Sequence, residues 1–217
     1  MARRTTVGAA CTLAAAALVL TACGGGGDKK VAATTSGAPA GAPSAGATTA
    51  PATTSAPVGP TFDFPPDVSV VVDADTTGDA AKDAVLRDQG YGLRAIYLSV
   101  AELNSKLPVF SRYLTRDAAK TWIDSIAWGQ RYHRTVTGPL RFYDREVTLR
   151  DAKTAAVTFC EDQSRSYDKD SRSGKVFTTT NSADSLVSHT ASLRKSADGT
   201  WQMTTYTSQR GAAQCRL

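Results

Sequence analysis

Two residue types in this 217-residue chain carry most of its chemical potential: four cysteines, and a histidine set into an apolar alternation. Val187, His189, Ala191 and Leu193 fall two apart, so in a strand they share one face. An imidazole on an apolar face is turned toward the interior, where it can act as a general acid or base near neutral pH. The competing reading is a core histidine bonded to a neighbouring hydroxyl. The only other histidine is His133. A second acid is available by type in Asp144, Glu161 or Asp162. No Gly-x-Ser-x-Gly nucleophile turn and no phosphate-binding glycine loop before a helix is present. With two scattered histidines, neither a metal site nor a cofactor is expected.

The cysteines divide by position. Cys11 and Cys23 lie in or at the end of an apolar run from Ala9 to Leu20, which follows Arg3 and Arg4. This run is shorter than the ~20 residues of a membrane-spanning helix, and its basic start and small-residue end are those of an export signal over residues 1–22. Leu20-Thr21-Ala22-Cys23 then offers small residues for cleavage and a thiol for lipid attachment. It resembles the bacterial lipobox, which implies lipidation of Cys23 and a place on the extracytoplasmic face of the cell membrane. Cleavage without lipidation is the alternative. With Cys11 removed and Cys23 lipidated, Cys160 and Cys215 remain, and outside the cytoplasm they are expected to pair. That loop stabilises a fold by roughly 3 to 4 kcal/mol.

Residues 23–60 are mostly Gly, Ala, Ser, Thr and Pro, a composition with too little to bury to offset the entropy of ordering. They read as a flexible tether with a reach of roughly 35 Å. Removing Arg3 and Arg4 with the leader lowers the formal charge from +5 to +3, a weak mixed-sign excess that does not point to nucleic acid.

The folded part is expected over residues 61–217. Pro65-Pro66 limits the segment through Val72 to an edge strand or to no sheet. A helix is predicted from about Ala81 to Val100 after Thr77-Gly78-Asp79, with Gly90 and Gly92 allowing a bend, and a second from Asp117 to Tyr132. Strands are predicted at Leu140 to Leu149, Ala155 to Gln163, Ser185 to Lys195 and Thr200 to Ser208, with Ser164 to Ser182 as a protruding hairpin tip that turns at Ser173-Gly174. Helices followed by a meander give an α+β fold, with N-terminal helices packed on a bent antiparallel sheet.

This order resembles the cone-shaped α+β barrel of the nuclear-transport-factor-2-like superfamily, shared with ketosteroid isomerases and polyketide cyclases. More closely, the chain is similar to small actinobacterial lipoproteins of that superfamily. The match rests on Leu20 to Cys23, the tether, Thr77-Gly78-Asp79, the strand Val157 to Ser164, and Asp198-Gly199-Thr200-Trp201 before Cys215. The resemblance implies a pocket between the sheet and the helices, with Tyr97, Trp128, Tyr143 and His189 as lining candidates. No residue here aligns with the acid/base motif of the isomerase and cyclase relatives, so the expected function is a non-catalytic module that binds a small apolar ligand or an envelope protein. The alternatives are an isomerase- or cyclase-like enzyme using His189, and a structural envelope component that forms a homodimer through its outer sheet face.

Overall fold

In the computed structural model residues 59–216 are described, so the signal segment, Cys23 and the tether up to residue 58 lie outside them. Thr54–Leu217 form a unit with its own core. Helix α1 (Ala80–Ala101) starts where the sequence places a cap: Asp79 accepts from the backbone N–H groups of Ala81 and Lys82 at 2.8 and 3.2 Å. That satisfies two of the four amides left open at a helix start.

The helix runs through Gly90 and Gly92 without interruption. These glycines serve packing instead of a bend: a Cβ on Gly92 would stand 2.6 Å from Met203 Cε, so the missing side chain admits the last strand against the helix. A short helix α2 (Pro108–Tyr113), opened by Pro at its first turn, was not visible in the periodicity; it buries Phe110 and Tyr113. Helix α3 (Arg116–Tyr132) ends at His133, whose φ of 55° turns the chain into the sheet.

The strands are β1 (Val68–Val72), β2 (Arg134–Leu149), β3 (Thr154–Asp162), β4 (Tyr167–Asp170), β5 (Val176–Phe177), β6 (Leu186–Lys195) and β7 (Trp201–Arg210). They form one sheet in the order β5-β4-β2-β3-β6-β7, with β1 added in parallel beside β2 and every other pairing antiparallel. β1 is thus the expected edge strand. β2 starts earlier than the sequence suggested, because it continues through Gly138-Pro139. Gly138 sits at φ 92°, and a Cβ there would lie 2.1 Å from the Arg165 carbonyl oxygen.

The two halves of β2 serve different neighbours. Arg134 to Thr137 pair with β4, and Arg141 to Leu149 pair with β3. Ser164 to Ser182 therefore does form a hairpin turning at Ser173-Gly174, but one fastened to β2. Arg134 holds it by lying over the Phe177 ring at 3.9 Å and by pairing with Asp170 at 3.4 Å. A bulge at Asp144, φ 49°, curls β2 and leaves Arg145 buried against α1. The Arg145 guanidinium donates to Asp75, to the carbonyls of Leu86 and Asp73, and to Gln89.

The result is the cone-shaped α+β fold, its helices lying against the concave face of a curled antiparallel sheet. Phe110, Phe142, Phe159, Leu86, Ile96 and Ile126 fill the space between them. A smaller cluster on the other face joins Tyr143, Ala212 and the Cys160–Cys215 disulfide, which closes a separation of 55 residues. Among the described residues no helix is long and apolar enough to cross a membrane.

Candidate functional site

Alternation along β3 places Ala155, Val157, Phe159 and Glu161 on the concave face, and all four are buried, Glu161 completely. The odd residue in this series is an acid among hydrophobic side chains. On β6, Val187, His189, Ala191 and Leu193 are buried in the same way, so the inward histidine stands where its spacing put it. Phe159 pairs directly with His189, and their rings stack at 4.9 Å.

Glu161 is held from two sides. Tyr97, projecting from α1, donates its hydroxyl to Oε1 at 2.5 Å, and His189 Nε2 lies 2.8 Å from Oε2. A carboxylate accepts only, so beside an ionised Glu161 a neutral His189 carries its proton on Nε2 and keeps a lone pair on Nδ1, whereas a charged ring donates from both nitrogens. Nδ1 is buried and has no hydrogen-bond partner among the described residues. Burial, reinforced by the Glu161 charge, pushes the Tyr97 phenol well above its ordinary range, so it remains a donor. Tyr206 is shifted upward for the same two reasons.

Tyr206 reaches this face through a bulge. Leu193 pairs with Met203 but Ser192 pairs with Thr205, so β7 carries one extra residue between them. Counting by two from Trp201 and Met203 would turn Thr205 inward; the bulge presents Tyr206 instead. Its ring lies 5.1 Å from His189 and 5.5 Å, edge-on, from Trp122 of α3. Tyr97, Trp122, Phe142, Phe159 and Tyr206 thus form an aromatic wall around the Glu161–His189 pair.

Between these groups is a cavity of ≈ 210 Å³ lined by Tyr97, Trp122, Glu161, His189 and Tyr206. A cavity of about 150 Å³ can hold a benzene, so this one has room for a small ring. Three of its lining side chains have buried polar atoms without partners among the described residues: Trp122 Nε1, His189 Nδ1 and Tyr206 Oη. A wider cleft of ≈ 640 Å³ between α3, β2 and the β4–β5 hairpin shares Tyr97, Trp122, Ser125, Gln163 and Arg210 with it. Together the two spaces reach the size of ordinary small-molecule sites.

Tyr97 and His189 therefore meet in the inner cavity, through Glu161. Trp128 lines the outer cleft, half exposed and packed on Tyr132 at 5.3 Å. Tyr143 requires correction. It precedes the β2 bulge on the convex face and packs beside the disulfide, away from the cavity. Trp122 and Tyr206 were not singled out in the sequence. Trp122 had a signal, its helical spacing with Ile126 on the buried side of α3; Tyr206 had none, because a bulge decides its direction. Glu161 was legible from the same two-residue count applied to β6. Among the described residues no group of three or more His, Cys, Asp or Glu is placed to hold a metal ion.

No family model matches this chain, and no curated protein does. Solved structures similar to it include a ketosteroid isomerase-like protein from Erwinia carotovora atroseptica, at 15% identity and a TM-score of 0.42, over 61% of this chain and 97% of that one. The intermembrane space region of the chloroplast protein ARC6 is similar at 14% identity and a TM-score of 0.38, over 57% and 92% of the two chains. A protein from Catenulispora acidiphila is similar at 11% identity and a TM-score of 0.38, over 56% and 87%. At such identities the likeness is one of fold, and the reading of the cavity rests on its own geometry.

Proposed function

We propose that this protein binds a small ring-containing molecule in its cone, at the outer face of a cell membrane to which a lipid on Cys23 attaches it. The observation that carries the binding reading is the cavity whose lining side chains include three unpartnered polar atoms. A buried polar group without a partner costs about 1 to 3 kcal/mol, a cost that a ligand supplying the missing partners would remove. The aromatic walls would contact the body of the ligand; Trp122 Nε1, His189 Nδ1 and Tyr206 Oη have almost no accessible surface, so small side-chain shifts on binding would open them to its polar groups. Leu20 to Cys23 and the residue 24–60 composition support the location.

Native mass spectrometry of Thr54–Leu217 tests the binding reading. A retained small molecule that is lost on Tyr206→Phe substitution is expected; a protein that arrives empty and takes up no aromatic probe would overturn it. For the location, the full chain is expected in the membrane fraction and its Cys23→Ala variant in the soluble fraction.

The Glu161–His189 pair favours a second reading, proton transfer on the bound molecule. His189 Nδ1 would take a proton from a substrate atom while Glu161 holds Nε2–H and balances the imidazolium charge. The Tyr206 hydroxyl and Trp122 N–H would donate to the oxygen on which negative charge develops. A His189→Gln variant that keeps ligand affinity but loses solvent-deuterium exchange into the ligand would support this reading; unchanged exchange would end it.

A further inference from the structure

The pairing of the strands orders the charges around the cavity. Phe142, Glu161, Val187 and Arg210 are successive partners across β2, β3, β6 and β7 and form one rung of the sheet. The next rung inward on β3, β6 and β7 is Phe159, His189 and Ser208. Two residues along a strand, or one strand across, is roughly 5 to 7 Å. Arg210 therefore stands on the rung of Glu161 but two strands away, with Val187 between them.

Arg210 lines both the inner cavity and the outer cleft, and it is exposed. It makes no ion pair among the described residues. Its Nη1 donates only to neutral oxygens, the Gln163 side-chain carbonyl at 3.1 Å and the Asp184 backbone carbonyl at 3.2 Å. Arg134, the other arginine in the outer cleft, is committed to Asp170 and the Phe177 ring. The inner end of the combined site is thus aromatic, its one acid, Glu161, held by Tyr97 and His189, and a guanidinium with free donors stands at its junction with the cleft. Its two bonds to carbonyl oxygens hold it there.

From this geometry we infer that the ligand is an anionic amphiphile, with a ring against Trp122 and Tyr206 and a carboxylate or sulfonate group at Arg210. The inference rests on the binding reading and specifies the ligand's class. A planar guanidinium pairs with such a group through two parallel hydrogen bonds, and a neutral ligand would leave that capacity unused. Asp168 and Asp184 also line the outer cleft, Asp184 next to Arg210 itself, so an anion is favoured only where the free guanidinium donors point.

The test compares two dyes of nearly the same ring system, anilinonaphthalene sulfonate and neutral N-phenylnaphthylamine, titrated by fluorescence into Thr54–Leu217, which carries its own core and disulfide. The sulfonate is expected to bind roughly five- to tenfold more tightly, with an affinity that falls as salt is added. Arg210→Gln is expected to abolish that preference and leave the neutral dye unaffected, whereas Arg131→Gln, which removes an equal charge outside both spaces, should retain it. Circular dichroism checks that each variant keeps its fold. Equal binding of both dyes, or a preference that survives Arg210→Gln, overturns the anionic ligand while leaving the binding reading standing. If neither dye binds, both are overturned.

Discussion

Glu161 and His189 are joined at 2.8 Å although they are not cross-strand partners: Glu161 lies opposite Val187, and His189 lies opposite Phe159. The contact runs along the diagonal of the β3–β6 pair, and it leaves the second carboxylate oxygen to Tyr97. One buried acid thus connects a helix to two strands of the sheet. Glu161→Ala would strand a phenol and an imidazole in a closed space. It is expected to cost about 2 to 4 kcal/mol in urea unfolding, and Glu161→Gln about half as much. A loss below about 0.5 kcal/mol for the alanine variant would mean that the three groups are not joined.

Tyr206→Phe should behave in the opposite way. Its hydroxyl has no partner among the described residues, so removing it is expected to change stability by less than about 0.5 kcal/mol, or to raise it. Binding of a ligand that pairs with this hydroxyl should weaken roughly tenfold. A large loss of stability would instead assign the hydroxyl a structural partner.

Alkaline pH tests the burial of the two phenols. Tyr97 and Tyr206 are both raised in the folded state, by burial first and then by Glu161. The folded state therefore holds these protons more tightly than the unfolded chain does. Their contribution to stability is complete below the unfolded value of about 10 and declines as pH rises from there toward the folded values. Unfolding is expected to begin in that window, with the phenolate absorbance of the two appearing only as the circular dichroism is lost. Phenolate signal from all seven tyrosines in a still-folded protein would contradict the burial.

The disulfide fastens the last residues over the convex face, where Cys215, Ala212 and Tyr143 cluster. Reduction, or paired Cys160→Ala and Cys215→Ala substitution, is expected to lower stability by about 3 to 4 kcal/mol and to expose Tyr143. Thermal unfolding with and without reductant, with tyrosine fluorescence, measures both. Because Cys160 and Glu161 point to opposite faces, dye binding by the folded variant should change far less than its stability.

Much of the fold follows from local rules. The cap at Asp79, the buried sides of α1 and α3 and the two-residue alternation of β3 and β6 depend only on neighbours along the chain, and the Cys160–Cys215 pair was expected from counting cysteines. These rules apply to His189 and, by the same count, to Glu161. A cavity is a different kind of object, formed by segments far apart in sequence. The bulges at Asp144 and in β7 reset which residues face inward beyond them, and the one in β7 supplies Tyr206, whereas Tyr143 faces outward by plain alternation with Phe142 before the β2 bulge. They arise from the curl of the sheet and from mispaired strand lengths, which no spacing within one segment records. Whether Gly92 bends a helix or admits Met203 is likewise settled by another strand's approach. Residue spacing and cysteine counting are enough for an inward imidazole, a disulfide and the order of the main elements; the acid, the phenol and the space around that imidazole come from different parts of the chain, and folding alone brings them together.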